Sequence, residues 1–161
     1  MEKPKVTIYT DGACSNNPGK GGYGAILMFR KNDGQTIEKR LSRGFNLTTN
    51  NRMELLAVVD SLKCLKVPCE IQLYTDSKYV VEAINQKWLE NWQKNNWRTS
   101  SKKAVKNVDL WQKYLTVSKQ HSIEFIWVKG HNDNKYNELC DKLAVEARNQ
   151  ENLETDVNFN N

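Results

Sequence analysis

A charge at the end of a buried strand is the strongest constraint in this sequence. The run Val6-Thr7-Ile8-Tyr9 is made of residues that suit a strand, and Asp11-Gly12 follows almost at once, opening a glycine-rich stretch that extends to Gly24. Asp11 is therefore expected at a strand end, with the chain breaking into a turn behind it. A carboxylate in such a place costs free energy unless it is paired, hydrated or bound to a metal. The same ending recurs at Tyr74-Thr75-Asp76, after a second short apolar run. If the two runs are neighbours in one sheet, Asp11 and Asp76 stand side by side on its rim.

The rest of the chain supplies that sheet. Residues 4–11, Tyr23–Arg30 and Thr36–Asn46 read as three successive strands, and Asn32-Asp33-Gly34 marks a hairpin between the last two. The apolar period then changes. From Asn50 to Lys66, Leu55, Val58, Val59, Leu62 and Leu65 recur at helical spacing, with Asn50 or Asn51 as the expected N-cap and Val67-Pro68 as the stop. Glu70–Thr75 is a fourth strand, Lys78–Asn85 a helix, Asn107–Lys119 another helix, Ile123–Val128 a fifth strand and Lys135–Asn149 the last helix. Strands that alternate with helices pair in parallel. The expectation is an α/β fold with a mixed five-stranded sheet, three antiparallel strands followed by two parallel additions, flanked by helices.

A length of 161 residues fits one domain, here taken as 1–149, with a polar segment 150–161 expected to fray. No apolar run approaches the roughly 18–20 residues that cross a membrane, and the N-terminus lacks an apolar signal core. This reads as a cytoplasmic protein. The four cysteines form no CxxC pair and only two histidines are present, which argues against a zinc site. The net charge of +5 is unevenly placed: residues 87–113 hold seven basic and two acidic side chains, and four of the five tryptophans. A basic, aromatic-rich segment of this kind points to a polyanionic partner. The simpler reading is a solvated lysine face over a small tryptophan core.

Two further carboxylates occupy notable positions. Glu54 lies within the first turns of one helix and Asp141 about two turns into another. Singly, each of the four acids has an ordinary explanation: a turn residue, a helix-dipole charge, a solvated helix residue. Together on one rim they would repel and raise one another's pKa, and hard divalent cations such as Mg²⁺ or Mn²⁺ relieve that.

Five stretches, TDGACSNNPGKGGYGAI, TTNNRMEL, YTDSKYVV, NWQKNNWRTSSKKAVKNVDLW and WVKGHNDNKYNELCDKLA, occur in the order in which the type 1 ribonuclease H family carries them. The chain closely resembles that family over nearly its whole length. The resemblance implies a ribonuclease H-like fold and endonucleolytic cleavage of the RNA strand of RNA–DNA hybrids by a two-metal-ion mechanism, leaving 5′-phosphate and 3′-hydroxyl ends. It implies Asp11, Glu54, Asp76 and Asp141 as ligands of two Mg²⁺ ions, with Mn²⁺ able to serve, and His131 as an accessory loop histidine for proton transfer or for product and metal release. Asn17, Asn50 and Asn51 match positions that contact sugars and minor-groove base edges. Thr49 and Asn107 match a pocket for a phosphate of the DNA strand, although Leu47 stands where relatives often carry an arginine. Trp88, Trp92 and Ser100 match the channel that holds the DNA strand. Lys94, Arg98, Lys102, Lys103 and Lys106 fall in a basic protrusion, residues 87–106, that would neutralise backbone phosphates. The expected partner is the RNA–DNA hybrid, with no membrane, bound by a monomer. The competing readings are a hybrid-binding module without catalysis, and a DNA nuclease or strand-transferase on the same fold.

Overall fold

The computed structural model describes residues 3–129 and 134–159. Five strands, β1 (Lys5–Cys14), β2 (Gly19–Arg30), β3 (Thr36–Thr48), β4 (Glu70–Thr75) and β5 (Ser122–Trp127), form one sheet in the order β3-β2-β1-β4-β5. β1 pairs antiparallel with β2, and β2 with β3. β4 adds in parallel to β1, and β5 in parallel to β4. This is the mixed sheet expected from the change of period. The helices are α1 (Asn50–Lys63), α2 (Lys78–Asn85), α3 (Trp88–Lys94), α4 (Val108–Ser118) and α5 (Lys135–Arg148).

β1 does not stop at Asp11. It continues to Cys14, pairing Gly12 with Tyr23 and Cys14 with Gly21. The glycine-rich stretch is therefore mostly strand, and the turn narrows to residues 15–18. The glycines have a packing cause. A Cβ on Gly12 would lie 2.7 Å from the Glu54 backbone nitrogen, and one on Gly24 would lie within 2.4 Å of the Cys140 carbonyl. Glycine here lets α1 press on one face of the sheet and α5 on the other.

α1 is the central element. From Arg52 to Val59 every side chain is buried, because the helix lies between the sheet on one side and α2 and α4 on the other. Its N-cap is Thr49, one residue ahead of the expected asparagines; the Thr49 hydroxyl accepts from the Arg52 backbone N–H at 3.2 Å. Ile8, Leu27, Leu55, Val58, Leu73 and Val80 fill the core beside it. Trp111 is fully buried, so this tryptophan packs, as its helical spacing implies.

Within the C-terminal segment, described as far as residue 159, Glu154 contacts the sheet. Glu154 donates its N–H to the Gly44 carbonyl, accepts from the Asn46 N–H, both at 2.9 Å, and pairs with Arg43 at 2.7 Å. Composition alone hides this, because the contacts are backbone and ionic rather than apolar. Among the described residues no helix is long and apolar enough to cross a membrane.

Candidate active site

The sheet register builds the site. Tyr9 lies opposite Tyr74 and Thr10 opposite Thr75 in the parallel β1–β4 pair, so the two Tyr-Thr-Asp tripeptides align and bring Asp11 beside Asp76. α1 then delivers Glu54, because Gly12 allows the helix backbone to touch β1. One carboxylate oxygen from each of Asp11, Glu54 and Asp76 lies within 4.8 Å of the other two. Asp141, on α5, is half-buried and close enough to Asp11 for its carboxylate to repel that charge. It stands outside the group of three.

The electrostatics are severe. Asp11 is 3% exposed and Glu54 4% exposed. Burial, then the charges of Asp76 and Asp141, push the Asp11 carboxyl up to about 8. Burial, then Asp11 and Asp76, hold Glu54 well above the usual carboxylate range, and the Gly12 N–H offsets this only in part. The Gly12 N–H also donates to Asp11 Oδ1 at 2.9 Å, but Asp11 Oδ2 and Glu54 Oε2 are buried with no hydrogen-bond partner among the described residues. Unpaired buried oxygens are rare and costly. An oxygen-only cluster with free lone pairs fits a hard divalent cation and fits no disulfide, thiolate or imidazole chemistry. The ordinary explanations of Asp11 and Glu54 fail: neither is a solvated turn or dipole charge.

A second group of expected residues meets on the flank. Asn17, in the β1–β2 turn, accepts from the Asn50 N–H at 3.0 Å. Asn17, Thr49, Asn51, Lys106 and Asn107 line one cavity of about 880 Å³. Its floor holds a residue that periodicity does not single out. Arg52, 2% exposed, bonds Asp109 at 2.8 Å and Asp156 at 2.7 Å. The signal available in the sequence was a cation in the first turn of a helix, just ahead of its apolar run Leu55–Val59.

The basic segment divides into two surfaces. Trp88, Trp92 and Ser100 line a groove of about 350 Å³. Trp92 packs edge-on against the buried Trp111, with ring centroids 5.9 Å apart, so it is anchored from behind. Lys94, Arg98, Lys102, Lys103 and Lys106 are all exposed. Lys94 meets Glu90 at 3.6 Å, and Arg98 donates to the Lys102 carbonyl at 3.2 Å. His131 lies outside the described residues.

A mixed sheet of this order, with buried carboxylates converging beyond the paired ends of its central strands, defines the class of acidic-site nucleases that work through divalent cations. Within that class the chain belongs to the ribonuclease H family, endonucleases that act on hybrids, since it matches the family described as RNase H over residues 3–149. It is 54% identical over 147 residues to ribonuclease H of Chlorobium phaeobacteroides strain BS1, covering 91% of this chain and 97% of that one. It is 49% identical over 157 residues to ribonuclease H of Rippkaea orientalis, covering 98% of this chain and 93% of the relative. Among solved structures it resembles LC9-RNase H1, a type 1 RNase H with the type 2 active-site motif, at a TM-score of 0.82 and 29% identity, covering 92% of this chain and 74% of that one.

Proposed function

We propose that this chain hydrolyses the RNA strand of RNA–DNA hybrids, with Asp11, Glu54, Asp76 and Asp141 holding two Mg²⁺ ions and Mn²⁺ able to replace them. The observation that carries this is the pair of buried oxygens, Asp11 Oδ2 and Glu54 Oε2, left without a partner where three carboxylates converge. A protein that only binds hybrids would gain stability by neutralising such a cluster, so its retention argues for catalysis. When bound, the cations supply water activation and stabilisation of the departing 3′ oxygen, so that the products carry 5′-phosphate and 3′-hydroxyl ends.

The chain's own side chains position the hybrid. Asn17, Asn50 and Asn51 sit where minor-groove sugars and base edges of the hybrid pass, and the 2′-hydroxyl is the group that marks the RNA strand. Thr49, Asn107 and Lys106 line the cavity that takes a phosphate of the DNA strand. Trp88, Trp92 and Ser100 form the groove for its deoxyriboses, where an aromatic face packs on a sugar that lacks the 2′ oxygen. Lys94, Arg98, Lys102 and Lys103 extend the contact along the phosphates. His131 serves as an accessory loop histidine for proton transfer or for product and metal release. The working unit in this reading is a cytoplasmic monomer.

The test is cleavage of end-labelled RNA–DNA hybrid beside duplex DNA and single strands, with Mg²⁺ and with a chelator. The expected result is metal-dependent cutting confined to the RNA of the hybrid. Equal cutting of duplex DNA overturns the specificity assignment.

A further inference from the structure

Composition marks residues 150–161 as a polar segment expected to fray, but the fold places part of it against the cavity lined by Thr49 and Asn107. Asn158 and Phe159 line the same cavity as Thr49, Lys106 and Asn107. The segment ends in a turn closed by the Phe159 N–H on the Asp156 carbonyl at 3.1 Å, and the Phe159 ring lies 5.9 Å from the Arg52 guanidinium. We propose that the turn Asp156–Phe159 is a working wall of the pocket for the DNA-strand phosphate, with Asp156 acting as a positioning residue for Asn107. This rests on the hybrid reading above.

The chain of contacts runs through Arg52. Its Nε donates to Asp156 Oδ2 at 2.7 Å and its Nη2 to Asp156 Oδ1 at 3.0 Å. Nη1 and Nη2 donate to the two Asp109 oxygens at 2.9 and 2.8 Å, and Nη1 also donates to Asn107 Oδ1 at 3.2 Å. A guanidinium has five N–H donors, and all five are engaged. Arg52 therefore has none left for a phosphate, and its single charge offsets only one of the two carboxylates, so the attraction for a phosphate falls to Lys106, which lines the same cavity. What Arg52 does is orient Asn107. Holding Oδ1 fixes the amide, whose Nδ2 donates to the Tyr79 hydroxyl at 3.2 Å. One N–H of that amide remains for the cavity. Asn107 also has φ +63°, a backbone that asparagine tolerates better than most residues. Loss of Asp156 would release one side of Arg52 and with it the amide. Asn158 and Phe159 line the same cavity from the C-terminal side.

The experiment uses the full chain carrying Asp76→Asn, so that hybrid is bound without turnover. Anisotropy of a fluorescent RNA–DNA hybrid is compared for the natural C-terminus, Phe159→Ala and Asn158→Ala/Phe159→Ala. Asn158 is exposed and Phe159 half-buried, so the melting temperature should fall by no more than about 4 °C while Kd rises about five-fold in the double variant. With Asp76 restored, KM should rise by the same factor and kcat should hold. For the positioning role, Asn107→Ala added to Asp156→Ala should cost less than about two-fold in Kd, because the amide is already released; additive losses make Asp156 merely structural. Unchanged Kd in both wall variants overturns the wall and leaves the hybrid reading standing. Failure of the natural C-terminus to bind hybrid at all overturns the reading itself, and the wall with it.

Discussion

Two buried charge clusters share one helix, and they are built to opposite rules. Arg52 and Glu54 stand two residues apart on α1 and are 2% and 4% exposed. Around Arg52 every donor has an acceptor and the two aspartates are both paired. Around Glu54 the neighbours are Asp11 and Asp76, like charges, with oxygens left unpaired. Burial does not distinguish the clusters; compensation does. A closed cluster ties α1, α4 and the C-terminal segment together. An open one costs stability and therefore marks the place where something else binds.

The largest effect that separates them is on activity. Asp76→Asn should lower cleavage of hybrid by about 10³-fold or more while binding persists, because in the reading proposed above it removes a metal ligand and no phosphate contact. Turnover near the natural rate would remove Asp76 from the site. The next effect is on stability. Arg52→Ala removes a buried cation and leaves the half-buried carboxylates of Asp109 and Asp156 without their counter-charge, and should cost about 3 kcal/mol in urea or thermal unfolding, since breaking an ion pair from its buried side strands its partners. A cost below about 1 kcal/mol would mean that the Arg52 cluster is not the clamp described above.

The open cluster was legible in the sequence and the closed one was not. The two Tyr-Thr-Asp endings would stand side by side if their strands were neighbours, and the parallel register of Tyr9 with Tyr74 meets that condition. The change from strand to helix period at Asn50 placed Glu54 on α1. What sequence missed depends on partners far apart in the chain. Asp156 and Arg52 are 104 residues apart, and neither belongs to a periodic pattern that would pair them. The glycines misled for a related reason. Gly12 and Gly22 look like turn residues, yet each lies within a strand and is small because a helix backbone presses on it. Turn propensity describes the local chain only, whereas close approach belongs to the assembled fold.

The two clusters should also answer pH with opposite signs when metal is absent. The native state holds Asp11 up at about 8 against an ordinary 3.8, so it keeps a proton that the unfolded chain has released. Its contribution to stability is present at low pH and is lost as pH rises toward 8. Asp109 runs the other way. Burial raises its carboxyl, but the Arg52 hydrogen bonds and charge more than offset this and hold it below the ordinary value. Its contribution is present above pH ~4 and is lost as pH falls through the native value. In chelator, then, thermal stability should decline between about pH 5 and 8, and Asp11→Asn should remove much of that decline and stabilise the chain by about 1–2 kcal/mol at pH 8. A loss of stability in Asp11→Asn under those conditions would show that the carboxylate is compensated within the protein.

The smallest effect separates both clusters from the exposed cations of residues 87–106. Lys102 and Lys103 are fully at the surface, and neither has an ion-pair partner among the described residues. They pay no desolvation cost, and their interaction with a hybrid works by releasing counterions from its phosphates. Lys102→Gln/Lys103→Gln should therefore leave folding unchanged and weaken hybrid binding a few-fold at moderate salt. The decisive quantity is the slope of log Kd against log salt, which should fall by about one to two for the two lost phosphate contacts. An unchanged slope would make these lysines a solvated face, and the phosphate contacts would then fall to the cavity beside Arg52, where the donors are oriented in advance and ionic strength matters less.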